Sequence, residues 1–199
     1  MTGHYPPSLL GLVAAIGVAG AAHAIPPPPE RSTTDCAAPV YATDTLVCSN
    51  PALLALDRAV QDRIARLDPK LLTSRPPYIE DQSAWFRRRS TCAFRPAQAD
   101  CVAAAYAERI AVLDALAEAP QDQAWPMDCK PTYWSGGTKA ITQGDHVILI
   151  DGEGTVRGVA MPMAPKAPWR PFARLKKEGE SFSVQDVGNG KPLRCEPAD

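Results

Sequence analysis

The chain has 199 residues, enough for one ordinary domain or two small ones. Its 21 Lys and Arg nearly balance 22 Asp and Glu, and the net charge of −1 sets aside a dedicated nucleic-acid protein, which would carry a strong basic excess. Proline is abundant and clustered, with 21 residues, which marks linkers and irregular connections rather than the interiors of helices or strands.

Residues 9–22 form an unbroken apolar or small run, too short to span a bilayer comfortably. It ends in Ala22, His23 and Ala24, a small-x-small cleavage pattern, although residues 1–8 contain no Lys or Arg. Residues 1–24 therefore read as a secretory signal peptide, followed by a Pro-rich spacer at 25–34. The expected location is periplasmic or secreted, with no membrane insertion after signal cleavage. Six cysteines follow the cut: Cys36, Cys48, Cys92, Cys101, Cys129 and Cys195. In an oxidising compartment an even count reads as three disulfides. Zinc is the competing use, but C-x-x-C is absent and His146 is the single imidazole after the cut, so no metal site and no cofactor is expected.

Asn50 followed by Pro51 has the form of a helix start. Leu53, Leu56, Val60, Ile64 and Leu67 then recur at spacings of three and four, one helical face that Asp68 and Pro69 terminate. A second helix is expected at about 78–91, with Ile79, Gln82, Trp85, Phe86 and Arg89 inward. Residues 92–101 make a corner. A third helix runs from about 100 to 118 with Val102, Tyr106, Ile110, Leu113 and Ala117 on one face. After a linker at 119–127 the pattern changes. Residues 146–150 are a β-branched run, Asp151 and Gly152 a turn pair, and 155–160 a partner strand. A second hairpin turns at Glu178, Gly179 and Glu180. Between the hairpins Pro162, Pro165, Pro168 and Pro171 recur every third residue; an extended crossover between sheet edges is favoured over a docking strand for a partner. The expected fold class is α+β: a disulfide-stapled three-helix module at 35–118 and a small antiparallel β domain at 128–199.

The cysteine pairing follows that layout only in part. Cys129 and Cys195 sit at the two ends of the β domain, where a bridge would staple a thin core. The first four allow three connectivities. The local pairs Cys36–Cys48 and Cys92–Cys101 are preferred, and the crossed alternatives stay open.

The helical block resembles the N-terminal domain of the LprI-type lysozyme-inhibitor family over residues 35–113. The resemblance rests on three linked parts in order: Asp35, Cys36, Cys48, Pro51, Leu53, Leu56 and Asp57; then Gln82, Trp85, Arg89 and Cys92; then Cys101, Val102, Tyr106, Arg109, Ile110 and Leu113. Such domains usually carry Glu a few residues before the second cysteine, where Asp44 comes nearest here, and Tyr where Ile64 stands. The β domain is only loosely similar to the small β-barrel inhibitors of lysozyme, without their motifs. The resemblance implies a lysozyme-inhibitor-like protein that binds lysozyme or a related cell-wall hydrolase without covalent chemistry. The alternative is a non-catalytic structural or adaptor protein of the cell envelope.

Among the motif residues, Asp57 is expected to pair with Arg89 or Arg109 beside Trp85 or Tyr106, with Gln82 on the same structural face. Possible partner contacts are Arg87 and Arg88 from the arginine triplet, Arg95 in the corner, and Tyr133 and Trp134 in the β domain. Arg87 should point to solvent and Arg88 should be partly covered. No phosphate loop, nucleophile elbow or free thiol is expected, and His146 reads as a strand histidine, so the chain is not read as an enzyme.

Overall fold

The computed structural model describes residues 1, 32–68, 78–117, 127–186 and 192–198. The expected signal peptide, most of the Pro-rich spacer and most of the linker lie outside the described residues.

Asn50 separates two helices. It ends α1 (Ala42–Ser49), and its Oδ1 accepts from the N–H groups of Ala52 and Leu53 at 3.0 and 3.3 Å, capping α2 (Pro51–Ile64). This satisfies two backbone donors that the first turn leaves without intrahelical partners, and Pro51 stands where no donor is required. Asp81 caps α3 (Gln82–Ser90) through the Ala84 N–H at 2.7 Å. A 3-10 turn (Thr91–Phe94) leads round the corner into α4 (Gln98–Ala117).

The described helical part thus has four α-helices, not the expected three. The additional one, α1, has eight residues, too short to establish a 3.6-residue apolar period. The second helix starts at Gln82 rather than near Tyr78, because Tyr78 and Ile79 leave the helices. Tyr78 makes a lone parallel bridge with Gly158, and Ile79 packs with Ile148 and Val159 of the sheet. A Cβ on Gly158 would meet the Tyr78 Cβ at 2.4 Å, so only glycine admits this approach.

Seven strands close into a barrel in sequence order: β1 (Met127–Lys130), β2 (Thr138–Gln143), β3 (His146–Asp151), β4 (Val156–Pro162), β5 (Ala173–Glu178), β6 (Ser181–Asp186) and β7 (Leu193–Pro197). Inward positions alternate along them, as Ala173 and Leu175 on β5 and Phe182 and Val184 on β6. The expectation of an antiparallel domain needs correction, since β4 and β5 pair in parallel. The physical reason is the proline-punctuated crossover at 163–172. It returns the chain to the end at which β4 began, which a tight hairpin cannot do.

All three disulfides take the sequential pairing: Cys36–Cys48, Cys92–Cys101 and Cys129–Cys195. Cys129 and Cys195 are directly opposed on β1 and β7, the pair that closes the barrel. With 66 residues between them, their bridge removes more unfolded-chain entropy, about 4 kcal/mol against roughly 3 for the two short loops.

The two parts share a packed boundary. α4 turns Val102, Ala105, Tyr106 and Leu113 toward the other helices and Val112 and Ala115 toward Ile148 and Val159 of the barrel. The crossover sends Trp169 into the helical core. No described helix is long and apolar enough to cross a membrane.

Candidate functional site

Several of the residues singled out in the helical block converge on a buried polar cluster. Arg89, fully buried, donates through Nη2 to Asp44 Oδ1 and through Nη1 to Tyr106 and to Thr34 Oγ1, the last at 2.9 Å. Tyr106 donates its hydroxyl to Asp57 Oδ1 at 2.7 Å. Asp57 is the more distant acid, 3.9 Å from Arg89 Nη1, and it also accepts from Gln61. Asp44 is completed by the N–H groups of Val40 and Tyr41, each at 3.0 Å. The guanidinium lies 4.2 Å over the Phe86 ring. The two carboxylates share one cation and are completed by neutral donors, as buried charge requires, while the Arg89 Nε has no acceptor among the described residues. Burial drives the Tyr106 phenol well above its ordinary value, against the nearby Arg89 charge, and it remains a neutral donor.

The expected Asp57–Arg89 pair is present as an ion pair at 3.9 Å without a direct hydrogen bond, and Asp44 is the principal acid. Arg109 does not meet Asp57. Its Nε donates to Gln82 Oε1 at 2.6 Å and its Nη1 to the Glu80 carbonyl at 2.9 Å, with Trp85 beneath. Burial lowers the Arg109 guanidinium to about 10, while Glu80 and Glu108 act in the opposite sense. Gln82 in turn donates to the Ser32 carbonyl, so residues 32–34 strap across both polar groups.

Arg88 is partly covered, as expected, and its guanidinium is engaged within the chain. Its Nε donates to Glu80 at 2.9 Å, its Nη2 reaches Glu108 at 3.2 Å and its Nη1 donates to the Arg170 carbonyl. Its guanidinium stacks 4.0 Å above the Trp169 ring. Glu108 completes the joint by accepting from the Trp169 indole and the Phe172 N–H. The arginine thus ties the helices to the barrel crossover, a long-range pairing that local spacing does not encode.

The remaining residues face outward. Arg87 and Arg95 are exposed, Tyr133 is 42% exposed and Trp134 is half-buried against Tyr78. Phe94, not singled out from the sequence, is 88% exposed at the tip of the stapled corner. The turn beneath it is fixed by the Cys92–Cys101 bridge, by the Arg95 N–H on the Cys92 carbonyl at 3.0 Å, and by Gln98 on the Ala93 carbonyl at 2.7 Å. Its signal in the sequence was an aromatic between the corner cysteines, outside every helical stripe. His146 Nδ1 lies 3.4 Å from Asp145 on β3. Among the described residues no group of three or more His, Cys, Asp or Glu could hold a metal ion.

Comparison with family models, with curated proteins and with solved structures finds no match.

Proposed function

We propose that this chain is a periplasmic or secreted, lysozyme-inhibitor-like protein that binds a peptidoglycan-cleaving enzyme non-covalently. The observation that carries the reading is Phe94, 88% exposed on a disulfide-pinned corner with Arg95 beside it. Covering an aromatic of this size by a partner would contribute about 1.5–3 kcal/mol. An aromatic and an arginine are the residue types that dominate interface energetics, and a pinned loop loses little entropy on binding. Arg95 would meet the acidic groups of a glycosidase cleft. The sequence resemblance over 35–113 supports the same partner, and three disulfides support an oxidising location.

The test is lysis of cell-wall substrate by C-type, G-type and I-type lysozymes with the signal-cleaved chain at micromolar concentration. At least one enzyme is expected to be inhibited. Phe94→Ser with Arg95→Glu should abolish that inhibition without moving the thermal midpoint. If all three enzymes lyse at their normal rate, the inhibitor reading fails and the envelope adaptor replaces it.

A further inference from the structure

The outer face of β5, β6 and β7 carries a second feature, unrelated to the corner. Inward positions on these strands are apolar, so alternation sends Arg174, Lys176, Ser183, Gln185 and Arg194 outward. Register then arranges them. Arg174 stands opposite Gln185, Lys176 opposite Ser183, and Ser183 opposite Arg194. Three cations and one acid, Glu178, therefore surround a hydroxyl and an amide in a cleft of about 520 Å3, which Met163 and Pro192 also line.

Two of the cations have only weak partners. Lys176 lies 2.8 Å from Glu178 and Arg194 3.0 Å from Glu196, with both cationic side chains more than half exposed. Such surface pairs contribute little and exchange readily. Arg174 is different: its Nε is buried and has no hydrogen-bond acceptor among the described residues. A buried guanidinium donor without an acceptor is costly, and the Arg174 side chain can turn at the cleft to meet an incoming oxyanion.

We infer that this face binds an anionic saccharide, its carboxylate, sulfate or phosphate groups on Arg174, Lys176 and Arg194 and its hydroxyls on Ser183 and Gln185. The spacing excludes a single small anion as the best fit. Arg174 and Lys176 are two residues apart, about 7 Å along the strand, and Lys176 and Arg194 two strand spacings apart, roughly 10 Å. The closed barrel offers no free edge on which a peptide could add a strand. Among the described residues no aromatic side chain lines the cleft, so nucleic-acid bases have nothing there to stack on.

The experiment is calorimetric titration of the full chain with a heparin-derived hexasaccharide, a hyaluronate hexasaccharide and a neutral chitin hexasaccharide, with poly-glutamate and inorganic phosphate alongside. At least one charged saccharide should bind, more weakly as salt rises, and the neutral one should not. Arg174→Gln should weaken binding at least about tenfold, the loss expected for a charge-assisted contact. Lys176→Gln with Arg194→Gln should do the same, and Lys139→Gln on β2 should leave it unchanged, all with the wild-type melting temperature. Absence of binding by both charged saccharides overturns the inference, as does equal binding by Arg174→Gln. Equal or tighter binding of poly-glutamate would mean an acidic peptide, and of phosphate a single-anion site; either also overturns it.

Discussion

The helical part buries Asp44, Asp57, Gln82, Arg89, Glu108 and Arg109, whereas the buried polar side chains of the barrel among the described residues are Thr138 and Asp151. The contrast has a physical origin. Barrel strands satisfy their backbone groups on each other, and closure with Cys129–Cys195 sets their register, so Val147, Leu149, Val184 and Leu193 can fill an almost wholly apolar interior. Helices exchange no backbone hydrogen bonds. Their mutual placement here depends on side chains, and the Arg89 and Arg109 clusters supply directed contacts where an apolar seam would allow sliding.

The sharpest way to break that comparison is Arg89→Met. Removing the cation leaves Asp44 and Asp57 buried with incomplete partners, and the expected loss is about 4 kcal/mol in chemical denaturation. Adding Asp44→Asn and Asp57→Asn should recover part of it, because no charge is then stranded. Full additivity of the three losses would show that the cluster is not a unit. The barrel counterpart is Leu149→Ala, fully buried, with an expected cost of about 3 kcal/mol from lost burial and a cavity. Its cost should not change between pH 4 and pH 8, since no titratable group is touched.

Glu108→Gln is expected to cost about 2 kcal/mol at neutral pH, because the Trp169, Phe172 and Arg88 donors lose an acceptor. It also has a pH signature. Burial raises the Glu108 carboxyl above its ordinary 4.5, although Arg88 opposes the rise. The folded state therefore holds this proton more tightly than the unfolded one. The resulting stability is complete below about pH 4.5 and is lost as pH rises through the folded value. The glutamine variant should lack that slope in pH-dependent melting.

Asp151 gives the opposite sign in the barrel. Burial alone would raise it, but the N–H groups of Thr155 and Glu153 and the Arg157 guanidinium hold it below 3.8. Its contribution is present above pH 3.8 and is lost as pH falls. Asp151→Asn is expected to cost about 1 kcal/mol at pH 7 and to match wild type once the carboxyl is protonated. Opposite slopes from two single variants would sharpen the distinction between the parts; equal slopes would erase it.

Much of the site was legible in the residue pattern, and the errors have specific causes. Trp85, Arg89 and Tyr106 were legible as inward because each falls on an apolar helical stripe, whereas Arg109 was placed only beside one. Their partners were not, because Asp44, Glu80 and Glu108 approach from other elements, and several acids lay at equivalent spacing. Arg88 and Trp169 are separated by 81 positions, and only packing of the crossover on α3 and α4 joins them.

Local sequence determined what short-range physics can determine. It set the cap at Asn50 and the hairpin turn at Gly179, the continuous apolar run of β3 and the alternation of β6, and an even number of cysteines. Tertiary structure decided what depends on distant segments: closure of seven strands through β1 and β7, the parallel entry of β5, Asp44 rather than Asp57 as the main acid for Arg89, and the use of Arg88 as a joint. A side chain's periodicity reports which way it points. Which of several equivalent partners it meets is chosen only when burial makes an unpaired charge too costly to leave.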